Sequence, residues 1–534
     1  MEKIHMKIIR QIAIILILCI IITSTNRTTY ANNRINMTYL YRGTAKDFRT
    51  QIAKTNGTVD VVLPNLFNIK SDGSIDINNV IDVKFIEDMH KKDIKVIPYI
   101  SNHFDRELGR KVLNNYIAYC DAVAAVVKEY NLDGVNIDIE NLTAGDSKNV
   151  SYDKDNFVRF TKYLRSVLPE GTELSMAIAA NPNDIKTDWA GSYDYVELNK
   201  YVDTFIIMTY DQSYPGSQPG PVAGYTFVEK SIKTMLKYVP SQKIVMGVPF
   251  YGRYWNDKEA RGGDAVVTRV VQSIKSSFGA QEYYDSYHRT PYLKFSVGMI
   301  GSTYSFSGKK FSIGNYIMYY ENEKSLKEKL ILVEKYNLKG SASWALSQED
   351  ASIWDNYKNW LNGIYYHDTN SSWAKEEIKE ATAKGYMTGS DIHSFNPGNY
   401  MTREEFATVL SRVFGYGTVV VNKPVFQDVK ASSWAYNYIN TIYSYGVMKG
   451  DGSYFKPKNN ITREEVAVSL YRALNGYAVE SKKVFYDVNE DRWSKKYIDF
   501  CVQRDILNGF PDGSFKPSKE ITREEIAKIL VNLK

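Results

Sequence analysis

Between Asp133 and Asn141 the chain reads DGVNIDIEN. Asn136, Asp138 and Glu140 occupy every second position, with Val135, Ile137 and Ile139 between them. Side chains alternate faces along a strand, so the three polar groups share one face and the three apolar groups the other. Asp138 and Glu140 then have Cα atoms roughly 6.6 Å apart. Two carboxyl groups that close, away from water, are costly unless they share a proton or gain hydrogen bonds. The spacing predicts Asp138 deeper and Glu140 at the strand end, with a raised pKa that suits a general acid. A polar layer inside a barrel, tied by hydrogen bonds, is the competing use of such a face.

A second stretch, MTYDQS, begins at Met208. Met208 and Tyr210 share a face, so Tyr210 reaches into the same cleft while Asp211 opens the loop. A phenol and a carboxylate beside an acid suit a substrate amide such as the N-acetyl group of a sugar. Its oxygen can attack the anomeric carbon in place of a protein carboxylate. Trp344, in SASWAL, supplies an apolar floor beneath that sugar. Taken singly, Tyr210 and Trp344 are also compatible with ordinary packing.

These groups need a scaffold that gathers strand ends. Residues 35–362 alternate strand and helix. Strands are expected at 37–41, 59–64, 94–100, 132–140, 173–180, 202–210, 243–252 and 338–346, with helices at 108–130, 154–168 and 227–238. Eight such units predict an α/β fold, a (β/α)8 TIM barrel with its chemistry at the C-terminal strand ends. A doubly wound open sheet competes, but its Gly-rich phosphate turn is missing. Residues 253–320, rich in Tyr, Gly and Ser, read as a small α+β insertion between strands seven and eight.

DGVNIDIE resembles the DxxDxDxE strand of family 18 glycoside hydrolases, with Asp133, Asn136, Asp138 and Glu140 in the four positions. MTYD and the Trp of WAL match the same family. MTYDQSYPGSQPGPVAG, GVPFYGRYW and LKGSASWALSQED resemble its bacterial peptidoglycan and spore-cortex N-acetylglucosaminidases. The resemblance implies that Glu140 is acid and then base. Asp138 orients the acetamido group and shares a proton with Glu140, Tyr210 donates to the acetamido oxygen, and Asp211 supports the sugar. It places Trp344 beneath the reacting sugar, with Tyr99, Asn136 and Met208 also on the substrate. Asn136 stands where many chitinases have Asp. It keeps a hydrogen bond to Asp138 but stores no charge.

From about residue 365 the pattern changes. TREE occurs at Thr402, Thr462 and Thr522, and each unit opens with a Trp, at 373, 434 and 493. Thr and the second Glu (Glu405, Glu465, Glu525) form a capping box. That leaves Arg403, Arg463 and Arg523 as recurring, exposed cations at helix starts, suited to an anionic ligand. The units resemble surface-layer homology (SLH) domains, which bind secondary wall polysaccharides. The expected spans are 365–415, 424–475 and 484–534. Glu404, Glu464 and Glu524 replace the usual Ala of TRAE, an added charge expected to weaken or redirect an anionic ligand. The first repeat departs most, so Arg463 and Arg523 are favoured over Arg403. Asp451 and Asp512 sit in Gly-containing turns, read as turn formers and not calcium ligands.

The 534-residue length predicts several domains, and a net charge of +6 gives no nucleic-acid signature. Lys3, Lys7 and Arg10 precede the apolar run Ile12–Ile22, a signal peptide or uncleaved signal anchor over residues 1–30. Cys19 lacks a small residue before it, so lipidation is not expected. Cys120 and Cys501 read as core residues and not a disulfide. His103 and His288 have no second ligand at metal spacing, so no metal or other cofactor is expected. The expected function is cell-wall-anchored hydrolysis of the β-1,4 bond after N-acetylglucosamine in peptidoglycan. A chitinase or chitooligosaccharide hydrolase, and a wall-bound lectin on an inactive barrel, are the alternatives. No nucleic acid or obligate protein partner is expected.

Overall fold

A computed structural model describes residues 34–533, except 78–81, 144–145, 147, 392, 420–423, 478 and 480–483. The leader expected over 1–30 lies outside the described residues. The chain first lays down β1 (Ile35–Leu40), β2 (Val61–Ile69), β3 (Tyr99–Ser101), β4 (Gly134–Asp138), β5 (Glu173–Ala179), β6 (Thr204–Met208) and β7 (Ile244–Pro249). An insertion adds β8 (Tyr251–Asn256), β9 (Asp264–Val267), β10 (Gln281–Asp285), β11 (Thr290–Val297) and β12 (Gly314–Tyr319). The chain then returns as β13 (Gly340–Trp344). β1 pairs in parallel with both β2 and β13, and β13 pairs with β7, which closes the eight-stranded barrel.

Alternation behaves as the sequence predicts. Val135, Ile137 and Ile139 are fully buried in the layer between strands and helices. The barrel interior is filled by Met37, Tyr39, Leu63, Tyr99, Ile206, Val245 and Ala342. Three boundaries differ from expectation. The third strand is split into Lys95–Val96 and β3, with Pro98, which has no N–H to give, between them. The expected 108–130 helix is two, α1 (Arg106–Asn114) and α2 (Tyr116–Glu129), meeting at the non-helical Asn115. The 243–252 strand divides at Phe250. Phe250 N–H donates to Trp344 O (2.8 Å), whereas Tyr251 already pairs with Val267 in the inserted sheet. That sheet is antiparallel, in the order β9-β8-β12-β11-β10. α3 (Val271–Phe278) packs on its apolar face through Val271 and Ile274. Cys120 and Cys501 are both free thiols and fully buried.

After α4 (Glu323–Lys335) come α5 (Lys375–Ala383), α6 (Arg403–Val413), α7 (Tyr436–Ser444), α8 (Arg463–Ala473), α9 (Lys495–Gln503) and α10 (Arg523–Asn532). Thr402, Thr462 and Thr522 cap α6, α8 and α10, and Glu405, Glu465 and Glu525 close the capping boxes. The repeats form a ring. Met401 N–H donates to Ile521 O, Ile521 N–H to Ile461 O, and Ile461 N–H to Met401 O, at 2.9–3.1 Å. All three side chains are fully buried. α6 packs on α7, α8 on α9, and α10 returns to α5, so each helix pair is shared between neighbouring repeats.

The repeated arginines are not exposed: Arg463 and Arg523 retain only 5% and 7% of their accessible surface. Each reaches into the next repeat around the ring. Arg403 donates to Phe455 O (2.9 Å), Lys449 O (3.0 Å) and Glu465 (2.6 Å). Arg463 donates to Phe515 O (2.9 Å) and Asn508 O (2.8 Å). Arg523 donates to Phe395 O (2.9 Å) and Thr388 O (2.7 Å). A planar guanidinium satisfies two carbonyls at once, which explains its recurrence without a ligand. The added glutamates are also absorbed. Glu464 takes Arg492 at 3.0 Å through both oxygens and Ser494 Oγ at 2.6 Å, Glu404 takes Lys458 at 2.6 Å, and Glu524 takes Ser372 Oγ at 2.6 Å. Asp512 accepts from Ser514 N–H (3.0 Å), and Asp451 bridges Tyr454 in its turn.

Candidate active site

β4 delivers the acidic face. Asn136 and Asp138 are buried, and Glu140, two residues on, is half-buried at the mouth. The expected Asn136–Asp138 hydrogen bond is not formed among the described residues. Asn136 instead accepts from Tyr39 Oη (3.1 Å), which reaches it across the barrel interior from β1, and donates to Ser175 Oγ (2.8 Å) on the neighbouring β5. Ser175 lies level with Asn136 in the β4–β5 register, whereas Asp138 is one pleat further along the same strand. Asp133 sits at the opposite end of β4. It accepts from Val96 N–H (2.7 Å) and contacts His90 Nε2 (2.9 Å), so its work is structural.

Burial pushes the Asp138 carboxyl up to about 7. Glu140 is pushed well above the carboxylate range by burial and by the charges of Asp138 and Asp211. The two carboxyls titrate as a pair that retains a proton near neutrality. Asp138 therefore weakens the fold as pH rises from about 3.9, its unfolded value, through 7, because the unfolded chain releases its proton first. Replacing Asp138 by Asn removes a charge that keeps Glu140 protonated. The alkaline limb of the kcat/KM–pH profile is expected to move to lower pH in Asp138→Asn. A limb that stays or moves upward would show that Glu140 does not sense Asp138.

Asp211, in a left-handed conformation (φ 56°), does not stand alone. Its Oδ1 accepts from Tyr251 Oη (2.7 Å), Arg253 Nη2 (2.6 Å) and Arg253 Nε (3.1 Å). Both partners come from β8, so the insertion fixes the carboxylate. Gly252 between them is required: a Cβ there would lie 2.3 Å from Tyr319 O. Tyr210 stands edge-on to Tyr251 (6.2 Å), its phenol held neutral by burial and by Asp138 and Glu140. Trp344 packs against Tyr39, Tyr41 and Tyr99 at 5.2, 5.1 and 6.4 Å, and the Trp344–Ala345 peptide is cis. Tyr99 is buried in this aromatic floor, and Met208 is 8% exposed at the end of β6. His103 is exposed at the rim, and His288 is tied to Asp285 (2.7 Å) in the insertion.

Several positioning residues were missed. Asn102, fully buried after β3, accepts from Glu140 N–H (2.9 Å) and donates to Glu140 O (2.9 Å), clamping the main chain of the acid. Tyr39, Ser175, Tyr251 and Arg253 were also not singled out. Tyr251 and Arg253 were legible, because a two-residue spacing on a strand puts them on one face. Asn102 carried no spacing signal.

Residues 29–349 match the glycosyl hydrolases family 18, and 365–407, 425–467 and 484–527 match the S-layer homology domain. The chain belongs to glycosyl hydrolase family 18, a glycoside hydrolase carrying three S-layer homology repeats. It is similar to the uncharacterized glycosylase YvbX of Bacillus subtilis (strain 168), 29% identical over 273 residues, 49% of this chain and 74% of YvbX. The cortical fragment-lytic enzyme of the same strain is 24% identical over 311 residues, 57% of this chain and 64% of that enzyme. The spore cortex-lytic enzyme SleL of Bacillus cereus shares the fold, with a TM-score of 0.53 at 18% identity over 61% of this chain and 74% of SleL. The repeats indicate a cell-surface, wall-associated protein.

Proposed function

We propose that the protein is a wall-anchored endo-β-N-acetylglucosaminidase that cleaves the β-1,4 bond after N-acetylglucosamine in peptidoglycan, with retention. The supply of carboxylates carries this reading. Asp138 shares a strand face with Glu140 and holds its proton up to about 7, while Asp211 is engaged by Arg253 and Tyr251. Neither is a free anion placed across the sugar from Glu140, which a protein nucleophile requires. The nucleophile then comes from the substrate. Glu140 gives its proton to the departing glycosidic oxygen as the acetamido oxygen bonds to C1 and the C1–O bond breaks. Tyr210 donates to the acetamido group and Asp138 orients it over Trp344. Glu140, now ionised, takes a proton from water as the water oxygen attacks C1 and releases the acetamido oxygen.

Chains N-acetylated at the reacting sugar are expected to be cut, and de-N-acetylated ones to resist. The first product is expected as the β anomer, read by rapid NMR. An α product, or efficient cleavage of glucosamine-only chains, would sink the mechanism. Product mass spectrometry on purified wall, spore cortex and chitin separates this function from that of a chitinase.

The repeats are proposed to hold secondary wall polysaccharide. A groove of about 570 Å³ is lined by Arg403, Lys449, Lys456 and Arg472, by Asp451, Glu464 and Glu465, of which Glu465 holds Arg403 (2.6 Å) and Asp451 holds Lys456 (2.7 Å), and by Trp493, which is 59% exposed. Cations beside an exposed aromatic face suit an acidic glycan. Arg403 therefore ranks above Arg463 and Arg523 as a contact residue, the reverse of the sequence ranking.

A further inference from the structure

The inserted sheet has two unlike faces. Tyr254, Met318, Leu293 and Phe295 join α3 in the insertion's own core. The other face carries two rows of side chains in register. Arg253, Tyr319, Tyr292 and Tyr283 form the row nearer the barrel, and Arg253 ends it on Asp211. Trp255, Ile317, Lys294 and Gln281 form the next row, roughly 6.8 Å further out.

This outer row lines a groove of about 820 Å³. The facing wall is the loop that follows Asp211, through Ser217, Gln218 and Pro219. The loop is pinned to the insertion: Trp255 Nε1 donates to Ser217 O (2.8 Å), and Gly216 N–H to Gly262 O (2.8 Å). A Cβ on Gly262 would stand 2.3 Å from Trp255 Cδ1, so glycine is what permits this approach. The groove is preformed, and it shares both its loop and its sheet face with the candidate active site.

Its lining suits a peptide better than a sugar. Trp255, Phe295 and Tyr316 are 6%, 7% and 4% exposed, so they offer no open ring face for a sugar to stack on. Gln218 and Gln281 bring exposed side-chain amides, the counterpart of peptide N–H and C=O groups. Charges of both signs are present. Lys294 is exposed, lies over Tyr283 (5.6 Å) and Tyr292 (5.9 Å), and has no carboxylate partner among the described residues. Asp257 accepts from Asn315 N–H (2.9 Å) and Nδ2 (2.8 Å), and Glu259 from Ser312 Oγ. Both carboxylates are exposed and keep further acceptor sites.

We propose that this groove receives the peptide stem of the glycan substrate, with Lys294 pairing a stem carboxylate and Asp257 or Glu259 the ammonium of its diamino acid. The proposal rests on the peptidoglycan reading above and names the part of that substrate the insertion selects. Four extended residues span roughly 13 Å, enough to pass from a sugar at Asp211 across both rows.

The test uses the full chain and wall glycan in two forms, one with stems intact and one trimmed by an amidase. Wild type is expected to show a KM about tenfold lower on the stem-bearing form, the scale of one charge-assisted contact. Lys294→Glu should lose that difference and match wild type on the trimmed form, while Lys294→Arg should keep it. A second arm does not depend on cleavage. Acetylation of Lys294, followed by mass spectrometry, should slow with N-acetyl-L-Ala-γ-D-Glu-L-Lys-D-Ala and not with chitotetraose. Equal protection by chitotetraose would make the groove a sugar subsite and overturn the proposal. An unchanged KM after trimming, or a Lys294→Glu loss on both forms alike, would overturn it too. Cleavage of chitin but of neither wall glycan would reject the peptidoglycan reading, and the tetrapeptide arm would still decide the groove.

Discussion

Glu140→Gln is expected to lower turnover on natural linkages by roughly 10²- to 10⁴-fold, the range for losing a positioned proton donor. The fold should survive. Gln has the same shape, and Asn102 grips the main chain of residue 140, not its carboxyl. The loss should shrink on an aryl glycoside whose leaving group departs without a proton. That contrast separates lost acid catalysis from a disturbed site, which would slow both substrates alike. Near-wild-type hydrolysis of the natural linkage by a folded variant would reject Glu140 as the acid.

Changing Arg463 and Arg523 together to Ala is expected to open the ring of repeats. Each removal strands two carbonyl acceptors, Phe515 O and Asn508 O in one case, Phe395 O and Thr388 O in the other. Hydrogen bonds to a charged group contribute about 1.5–3 kcal/mol, so the pair lowers stability by a substantial part of a domain's total. Calorimetry should show the repeat transition falling in temperature while the barrel transition stays. Wall pull-down should fall with it. Unchanged melting combined with lost wall binding would instead return these arginines to a direct ligand role.

The barrel was legible because its signals are local. Alternation in DGVNIDIEN and apolar runs in the other strands mark the buried strands, and β4 places Asn136 and Asp138 as that rule requires, with Glu140 two residues past its end. Errors fell where a contact distant in sequence decides. Asn136 turned to Tyr39, 97 residues away, and Asp211 to Arg253, 42 away. The break at Phe250 depends on Trp344, which no local pattern announces. In the repeats the period was plain, but a period says nothing of closure. Arg523 looks like a surface residue until its partners, 128 and 135 residues earlier, are in view.

The ring of Met401, Ile461 and Ile521 imposes an order of events. α5 precedes its packing partner α10 by well over a hundred residues, and both carry buried side chains that need each other. During synthesis the barrel completes its own sheet once β13 arrives, whereas the repeats stay unsealed until α10 emerges. The catalytic unit is thus finished first and the tether last. On the attachment proposed above, the sealed ring, and with it the hold on the wall, is complete only once α10 has been made.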